Sequence, residues 1–148
     1  DQLADALAGA LGSALLLPEM RAFGVGLFLT TDDGSVGRHG LVTAELEARL
    51  DRYATSTTGT PAVRILACGP NAMLWAVARI ARSRALPCFI SVEEQMACGI
   101  GVCLGCAVPA RSRPFRYVCK DGPVFDAADV LDVGGVASAP PVAGDCPS

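Results

Sequence analysis

Apolar positions along the first sixty residues predict a helix, a strand and a further helix. Leucines recur at helical spacing over residues 1–23, with a break at Pro18 that predicts a short second helical piece. The run VGLFLT at residues 25–30 is almost continuously apolar, as in a strand buried on both faces of a parallel sheet. Helical spacing returns over residues 42–53 and ends at the polar stretch TSTTGTP.

The middle of the chain repeats this alternation. Residues 63–67 and 87–92 predict two further buried strands, and an apolar stripe between them predicts a helix that starts after Pro70. Three buried strands that alternate with helices indicate right-handed βαβ units in a doubly wound sheet. We therefore predict an α/β fold, with a partial Rossmann-like parallel sheet over residues 1–92.

From residue 93 the pattern changes to glycine and cysteine. Short strand-like pieces follow, at residues 107–109, 115–119 and 123–125. The stretch DAADVL from residue 126 has helical character. We expect a small cysteine-rich subdomain with short strands over residues 93–133 and a disordered tail over residues 134–148.

Composition narrows the classes of protein that fit. The 148 residues are 51% hydrophobic and 18% charged, with a formal net charge of -3. This charge argues against a nucleic-acid-binding protein, which typically carries an excess of basic residues. No apolar run reaches the length of about 18 residues that a membrane span needs. The mean hydropathy is +0.41, and the sequence starts at Asp1 without a methionine. We expect a piece of a longer protein, with apolar faces that meet another domain or a partner.

Cysteine usage points to metal chemistry. Seven cysteines in a chain with its own helical and strand patterns favour a reducing cytoplasm over a secreted disulfide scaffold. Four of them have the spacing C-x4-C-x2-C-x12-C, namely Cys98, Cys103, Cys106 and Cys119. This is the plant-type spacing of a [2Fe–2S] cluster, and the loop glycines would let the backbone take positive φ, at Gly99, Gly101 and Gly105.

Two other interpretations of the cysteines remain open. Structural zinc sites typically use two short cysteine pairs, whereas only Cys103 and Cys106 form a C-x2-C pair here. A thioredoxin-like redox pair would open a helix after a strand and would need no further thiols. The cluster is favoured, and a non-catalytic, zinc-stapled interaction domain is kept as an alternative.

Two segments are candidates for nucleotide binding, because ligands of doubly wound folds bind at the carboxyl ends of the strands. One follows the first predicted strand, at Thr31, Asp32, Asp33 and Gly34. The other follows the second, at Cys68, Gly69 and Pro70. Local turn formation explains the same residue types without a ligand.

General acid–base and nucleophilic catalysis find no support in the sequence. His39 is the only histidine, and no nucleophile elbow is present, so no catalytic residue is assigned.

Four basic residues lie near the fourth cysteine in the sequence, namely Arg111, Arg113, Arg116 and Lys120. They form either a solvated face or a docking surface for an electron-transfer partner.

The cysteine region carries a family resemblance. SVEEQMACGIGVCLGC, followed by YVCKDGPVFDAADV, resembles the electron-transfer subunits of two-subunit, NAD-linked dihydroorotate dehydrogenases. TDDGSVGRHG and ACGPNAM stand upstream in the order of that family, so the resemblance covers about residues 25–133. Cluster-bearing subunits of hydrogenases and of NADH-dependent ferredoxin oxidoreductases share much of the pattern and are the alternative.

The resemblance implies a part of an oxidoreductase rather than an enzyme that is active alone. In the family, the cysteines matching Cys98, Cys103, Cys106 and Cys119 hold a [2Fe–2S] cluster. The positions matching TDDG and CGP belong to the NAD-binding half of a ferredoxin-reductase-like module. Electrons pass from a dihydroorotate-oxidising FMN subunit through the cluster to FAD and NAD, in pyrimidine biosynthesis. The FAD-binding domain of the family precedes this region, and no counterpart of it is present in these residues.

Overall fold

The structure of the chain is a computed structural model that describes residues 17–56 and 63–130. Between residues 61 and 62 the chain divides into two compact units. The fold is mixed α/β with small sheets. Residues 1–16 of the helical region predicted over residues 1–23, and the predicted tail over residues 134–148, lie outside the described residues. No helix in the two described ranges is long and apolar enough to cross a membrane.

The first unit holds two helices and two very short strands. Helix α1 spans Leu17–Ala22, strand β1 Thr30–Thr31, strand β2 Arg38–His39 and helix α2 Val42–Ser56. The two strands are parallel, with Thr30 opposite Arg38. Helix α2 buries Leu50 and Glu45, and the Glu45 carboxylate accepts hydrogen bonds from Arg38 (3.0 Å) and Arg49 (2.7 Å). Two guanidinium groups therefore compensate the one buried carboxylate.

The prediction of a buried strand over residues 25–30 is wrong for the structure described. Only the last residue of that run enters β1, while Val25 is 57% exposed and Phe28 is 49% exposed. A strand buried on both faces needs neighbouring strands and helices that cover it. Among the described residues of this unit, the two-residue strand β2 is the only strand that pairs with β1.

The second unit contains the predicted βαβ crossover. Strand β3 (Ile65–Cys68) leads into helix α3 (Asn71–Ser83) and then strand β4 (Cys88–Ser91), which is parallel to β3. Helix α3 starts after Pro70, whose carbonyl accepts the first hydrogen bonds of the helix. The buried side of this helix is formed by Leu74, Trp75, Val77, Ala78 and Ala81. The apolar period therefore predicted the helix but not its buried face, because only Val77 of the predicted stripe Met73, Val77 and Ile80 is buried.

The residues after β4 return to the same sheet. Strands β5 (Ala107–Pro109) and β6 (Phe115–Tyr117) form an antiparallel hairpin, followed by the one-turn helix α4 (Val118–Asp121). Strand β7 (Val124–Asp126) then pairs with β4 in antiparallel orientation, giving the sheet order β3-β4-β7.

The helix predicted from residue 126 is replaced by a turn. The Asp126 carboxylate accepts the Ala128 N–H at 2.8 Å, and Val130 forms an isolated antiparallel bridge with Ala110. An aspartate that binds the backbone two residues ahead favours a turn over helix propagation. The domain boundary at residue 93 stays a prediction, although strands from both sides of it share one sheet.

Candidate metal centre

The cluster loop, residues 97–106, joins β4 to the hairpin without regular structure. Gly99 has φ of 68° and Gly101 has φ of 83°, which lie in the left-handed region that favours glycine. The expectation for Gly105 is wrong, because the third residue of the loop in this region is Leu104, with φ of 60°. These positive φ values turn the loop tightly enough for its N–H groups to point inward.

Cys98 and Cys103 form the first thiol pair. The Cys103 N–H donates to Cys98 Sγ at 3.4 Å. This hydrogen bond, together with the N–H of Ile100 and further contacts from Cys103 and Val102, lowers the pKa of Cys98 to about 6. The loop therefore stabilises a thiolate, which is the form that binds metal.

Cys106 and Cys119 form the second pair, at the open end of the hairpin. The Val118 N–H donates to the Cys106 carbonyl at 3.0 Å, and the two sulfurs lie 3.3 Å apart. The backbone N–H of Cys119 lowers the pKa of Cys106. The hydrogen bond with Cys106, followed by burial, raises the pKa of Cys119, so Cys106 is the first of the two to ionise.

The four cysteines of the predicted ligand set lie as two pairs in the structure. In residues 17–56 and 63–130 no three His, Cys, Asp or Glu side chains are grouped closely enough to hold one ion. Cys98 pairs with Cys103, and Cys106 pairs with Cys119. The two pairs interact electrostatically, because the charge of Cys98 contributes to the raised pKa of Cys119. Two sulfurs on one tetrahedral metal at about 2.3 Å would lie about 3.8 Å apart, close to the separation of the second pair.

The surroundings of the thiols combine exposed apolar side chains with internal ion pairs. Large apolar side chains are exposed on or beside the cluster loop, at Met96, Ile100, Val102 and Leu104. Two of the four predicted basic residues are already paired, Arg113 with Asp121 and Arg116 with Asp129. The basic group is therefore partly structural. Sequence reasoning missed the two aspartates, since nothing in their spacing marks them as partners of these arginines.

The first predicted nucleotide segment lies in the first unit and is held by local bonds. Thr31 Oγ1 donates to the Val36 carbonyl at 3.0 Å and accepts the Val36 N–H at 3.2 Å. Asp33 Oδ1 accepts the Ser35 N–H at 2.9 Å. The Ser35 hydroxyl, followed by this N–H, lowers the pKa of Asp33. Asp32 is exposed, and Gly34 donates its N–H to the Thr31 carbonyl at 3.2 Å. These bonds are those of a self-supporting turn.

The second predicted segment lines a cavity in the second unit. Gly69 and Pro70 share a cavity of about 380 Å³ with Asn71 and Glu93, while the thiol of the neighbouring Cys68 is free. Asn71 and Glu93 escaped sequence reasoning. The position of Glu93 in the sequence could have indicated it. Glu93 lies after β4, and Gly69 lies after the parallel strand β3, so both are at carboxyl ends of strands, where ligands bind.

Comparison with known proteins identifies the cysteine region. Residues 93–131 match the iron–sulfur cluster binding domain of dihydroorotate dehydrogenase B. The electron transfer subunit of dihydroorotate dehydrogenase B (NAD(+)) from Caldanaerobacter subterraneus subsp. tengcongensis is 44% identical over 106 residues, which are 70% of this chain and 39% of that protein. The corresponding subunit from Bacillus caldolyticus is 40% identical over 115 residues, or 76% of this chain and 40% of its own length.

A solved structure shows a related fold. A chain from the structure of NADH-dependent reduced ferredoxin-NADP oxidoreductase, a study of flavin-based electron bifurcation, superposes with a TM-score of 0.58 and 26% identity. The match covers 78% of this chain and 39% of that one. The chain thus spans about two fifths of the length of the proteins it matches. Over that shared region it is similar to the electron transfer subunits of NAD-linked dihydroorotate dehydrogenase B, which confirms the resemblance found in its cysteine motif.

Proposed function

We propose that this chain carries a [2Fe–2S] cluster in an electron-transfer subunit that links a dihydroorotate-oxidising FMN flavoprotein to FAD and NAD in pyrimidine biosynthesis. The observation that carries the proposal is the arrangement of Cys98, Cys103, Cys106 and Cys119 as two thiol pairs with backbone N–H groups directed at their sulfurs. Two pairs match the needs of two irons. The match of residues 93–131 to an iron–sulfur cluster binding domain supports it.

The chain contributes ligands, orientation and electrostatics. Cys98 and Cys103 would hold one iron, and Cys106 and Cys119 the other. N–H groups from the loop stabilise the negative sulfurs, because hydrogen bonds and exposure set the reduction potential of such sites. When bound, the cluster supplies transfer of one electron at a time. No side chain has to act as a general acid or base.

The partners follow from the same arrangement. The exposed apolar side chains of the cluster loop, at Ile100 and Val102, suit burial against the FMN-containing subunit. Oxidation of dihydroorotate releases two electrons and two protons, and reduction of NAD takes up both electrons and one proton. Each substrate would therefore require two single-electron transfers through a cluster held by the four cysteines. FAD would be bound by the separate flavin domain of the family rather than by these residues.

Nucleotide binding is proposed for the region before the cluster loop. Residues 1–92 would be part of a Rossmann-like, NAD-binding half, followed by the cluster subdomain over residues 93–133 and a disordered tail over residues 134–148. The cavity beside Gly69 and Pro70 supports a ligand at the strand ends. Within the first unit, the turn of Thr31, Asp32, Asp33 and Gly34 is likewise proposed to contact a nucleotide. The proposed location is the cytoplasm, where thiols stay reduced.

A second candidate function is favoured by the structural similarity. The neighbour with a TM-score of 0.58 is a ferredoxin-NADP oxidoreductase chain, so the same cluster module could serve a ferredoxin-linked enzyme. The cysteine chemistry is shared by both candidates, and the electron donor separates them. A neighbouring gene for a dihydroorotate-oxidising subunit supports the first candidate, whereas a gene for a hydrogenase or ferredoxin-dependent partner supports the second.

Reductive titration tests the proposed electron transfer. The chain is purified under anaerobic conditions and titrated with dithionite while its visible absorption and its electron paramagnetic resonance are followed. We expect uptake of about one electron per chain, with a paramagnetic signal that disappears on reoxidation with ferricyanide. A colourless chain that takes up no electron contradicts the proposal.

A further inference from the structure

We propose that Asp121 is a positioning residue for the iron–sulfur centre: it fixes the one-turn helix that carries Cys119 and, with Arg113, sets the charge beside that ligand. This inference rests on the proposed cluster function. It goes beyond the ligands themselves, because Asp121 contacts the backbone and a guanidinium rather than a sulfur.

The carboxylate of Asp121 folds back onto the start of its own helix. The Tyr117 N–H donates to Asp121 Oδ2 at 2.8 Å, and Arg113 reaches Asp121 Oδ1 from the turn of the hairpin. Tyr117 is the residue before helix α4, so the bond closes the turn that contains Cys119. Asp121 is therefore held from two directions, and Cys119 lies inside the closed turn.

The other contacts of the segment complete its fixation. Val118 is 1% exposed, and its N–H donates to the Cys106 carbonyl at 3.0 Å. The Lys120 side chain lies over Gly101 of the cluster loop, where an added Cβ would be 3.2 Å from Lys120 Cδ. The residues on both sides of Cys119 thus have fixed contacts, and the sulfur of Cys119 lies 3.3 Å from that of Cys106.

A second carboxylate provides an internal comparison. Asp129 accepts the Ser112 N–H at 2.8 Å, the Ser112 hydroxyl at 3.0 Å and Arg116 Nε at 2.8 Å. It therefore also joins backbone and arginine, but it holds the turn of the hairpin rather than the end with the two cysteines. A variant at Asp129 weakens the same hairpin without releasing the Cys119 turn.

The two members of the Asp121–Arg113 pair have opposite effects on the charge near the centre. Asp121→Asn keeps an oxygen that can accept the Tyr117 N–H and removes a negative charge, so it raises the reduction potential. Arg113→Gln leaves the carboxylate unneutralised and lowers the potential. Net charge is one of the factors that set the potential of such clusters, and a purely structural role would not produce shifts of opposite sign.

The experiment compares wild-type chain with Asp121→Ala, Asp121→Asn, Arg113→Gln and Asp129→Ala, each purified anaerobically with its cluster. Release of iron to a chelator is timed, visible circular dichroism is recorded, and potentials are measured by titration. We expect release from Asp121→Ala to be about 10- to 100-fold faster, the range for loss of an outer-shell contact. Release from Asp129→Ala stays near the wild-type rate, Asp121→Asn restores retention, and the two charge variants shift the potential in opposite directions.

Several results overturn the inference. Equal release rates for Asp121→Ala and Asp129→Ala assign the effect to hairpin stability alone, and a wild-type rate for Asp121→Ala removes any role. If Asp121→Ala fails to fold, the potentials of Asp121→Asn and Arg113→Gln decide, and shifts of the same sign overturn it. A wild-type chain without iron and sulfide contradicts the proposed function instead, so the two failures are distinguishable.

Discussion

At the scale of single residues, the environment of each thiol separates a metal ligand from a core residue. Cys88 is buried in β4, and burial, followed by the charge of Asp126, raises its pKa. Cys98 is surrounded by N–H donors that lower its pKa to about 6. Spacing along the chain predicts different roles for the two cysteines, because Cys88 lies outside the C-x4-C-x2-C-x12-C set. The donors themselves depend on loop geometry, which spacing does not reveal.

The ligand assignment predicts different outcomes for two serine substitutions. Cys119→Ser should lose most of the cluster, because one iron would be left with Cys106 as its only protein thiolate. Cys88→Ser should keep the cluster but lower the free energy of unfolding by about 1–3 kcal/mol, since it buries a hydroxyl. Iron per folded chain and denaturant unfolding measure the two effects. Equal iron content in both variants would refute the ligand set.

The buried carboxylate of Glu45 predicts acid sensitivity. Hydrogen bonds from Arg49 and then Arg38 lower its pKa below the ordinary value of 4.5. A carboxylate with a lowered pKa stabilises the fold above its unfolded pKa, and this contribution is lost as pH falls through the folded pKa. Glu45→Gln should therefore flatten the acid side of the stability profile between about pH 3 and pH 6, whereas Glu47→Gln on the same helix should leave it unchanged. Identical slopes for Glu45→Gln and wild type would contradict this prediction.

At the scale of elements, the sequence pattern predicted the helix and strands that pack against their neighbours along the chain. The β3–α3–β4 crossover was predictable because its helix carries an apolar period and its strands are short apolar runs. The prediction that β3 is a buried strand is wrong for the described residues, because Leu66 is 73% exposed and Cys68 is exposed. The run at residues 25–30 was misleading, because burial of a strand on both faces depends on neighbours that the described residues do not provide. The one-turn helix α4 depends on the Asp121 side chain, a contact that periodicity cannot report.

The buried face of α3 predicts a matched pair of alanine variants. Leu74 is 0% exposed, whereas Leu66 on β3 is 73% exposed. Leu74→Ala should lower the free energy of unfolding by about 2–5 kcal/mol, through lost burial and a residual cavity. Leu66→Ala should change it by less than about 0.5 kcal/mol, as surface substitutions usually do. Denaturant unfolding of both variants measures the difference, and equal losses would mean that Leu66 is covered in solution.

At the scale of the whole molecule, the chain is a module that matches about two fifths of each longer relative. In the part of the chain that the structure describes, large apolar side chains are exposed in both units, including Phe23, Ile100 and Val102. The resemblance supplied the substrate and partner hypotheses, because no described residue distinguishes dihydroorotate from another electron donor.

The most direct measurement of the central claim is the content of iron, acid-labile sulfide and zinc in anaerobically purified chain. A cluster on the four cysteines predicts about two iron atoms and about two sulfides per folded chain, without stoichiometric zinc. A colourless chain with one zinc and no sulfide would contradict the account and favour a structural zinc site.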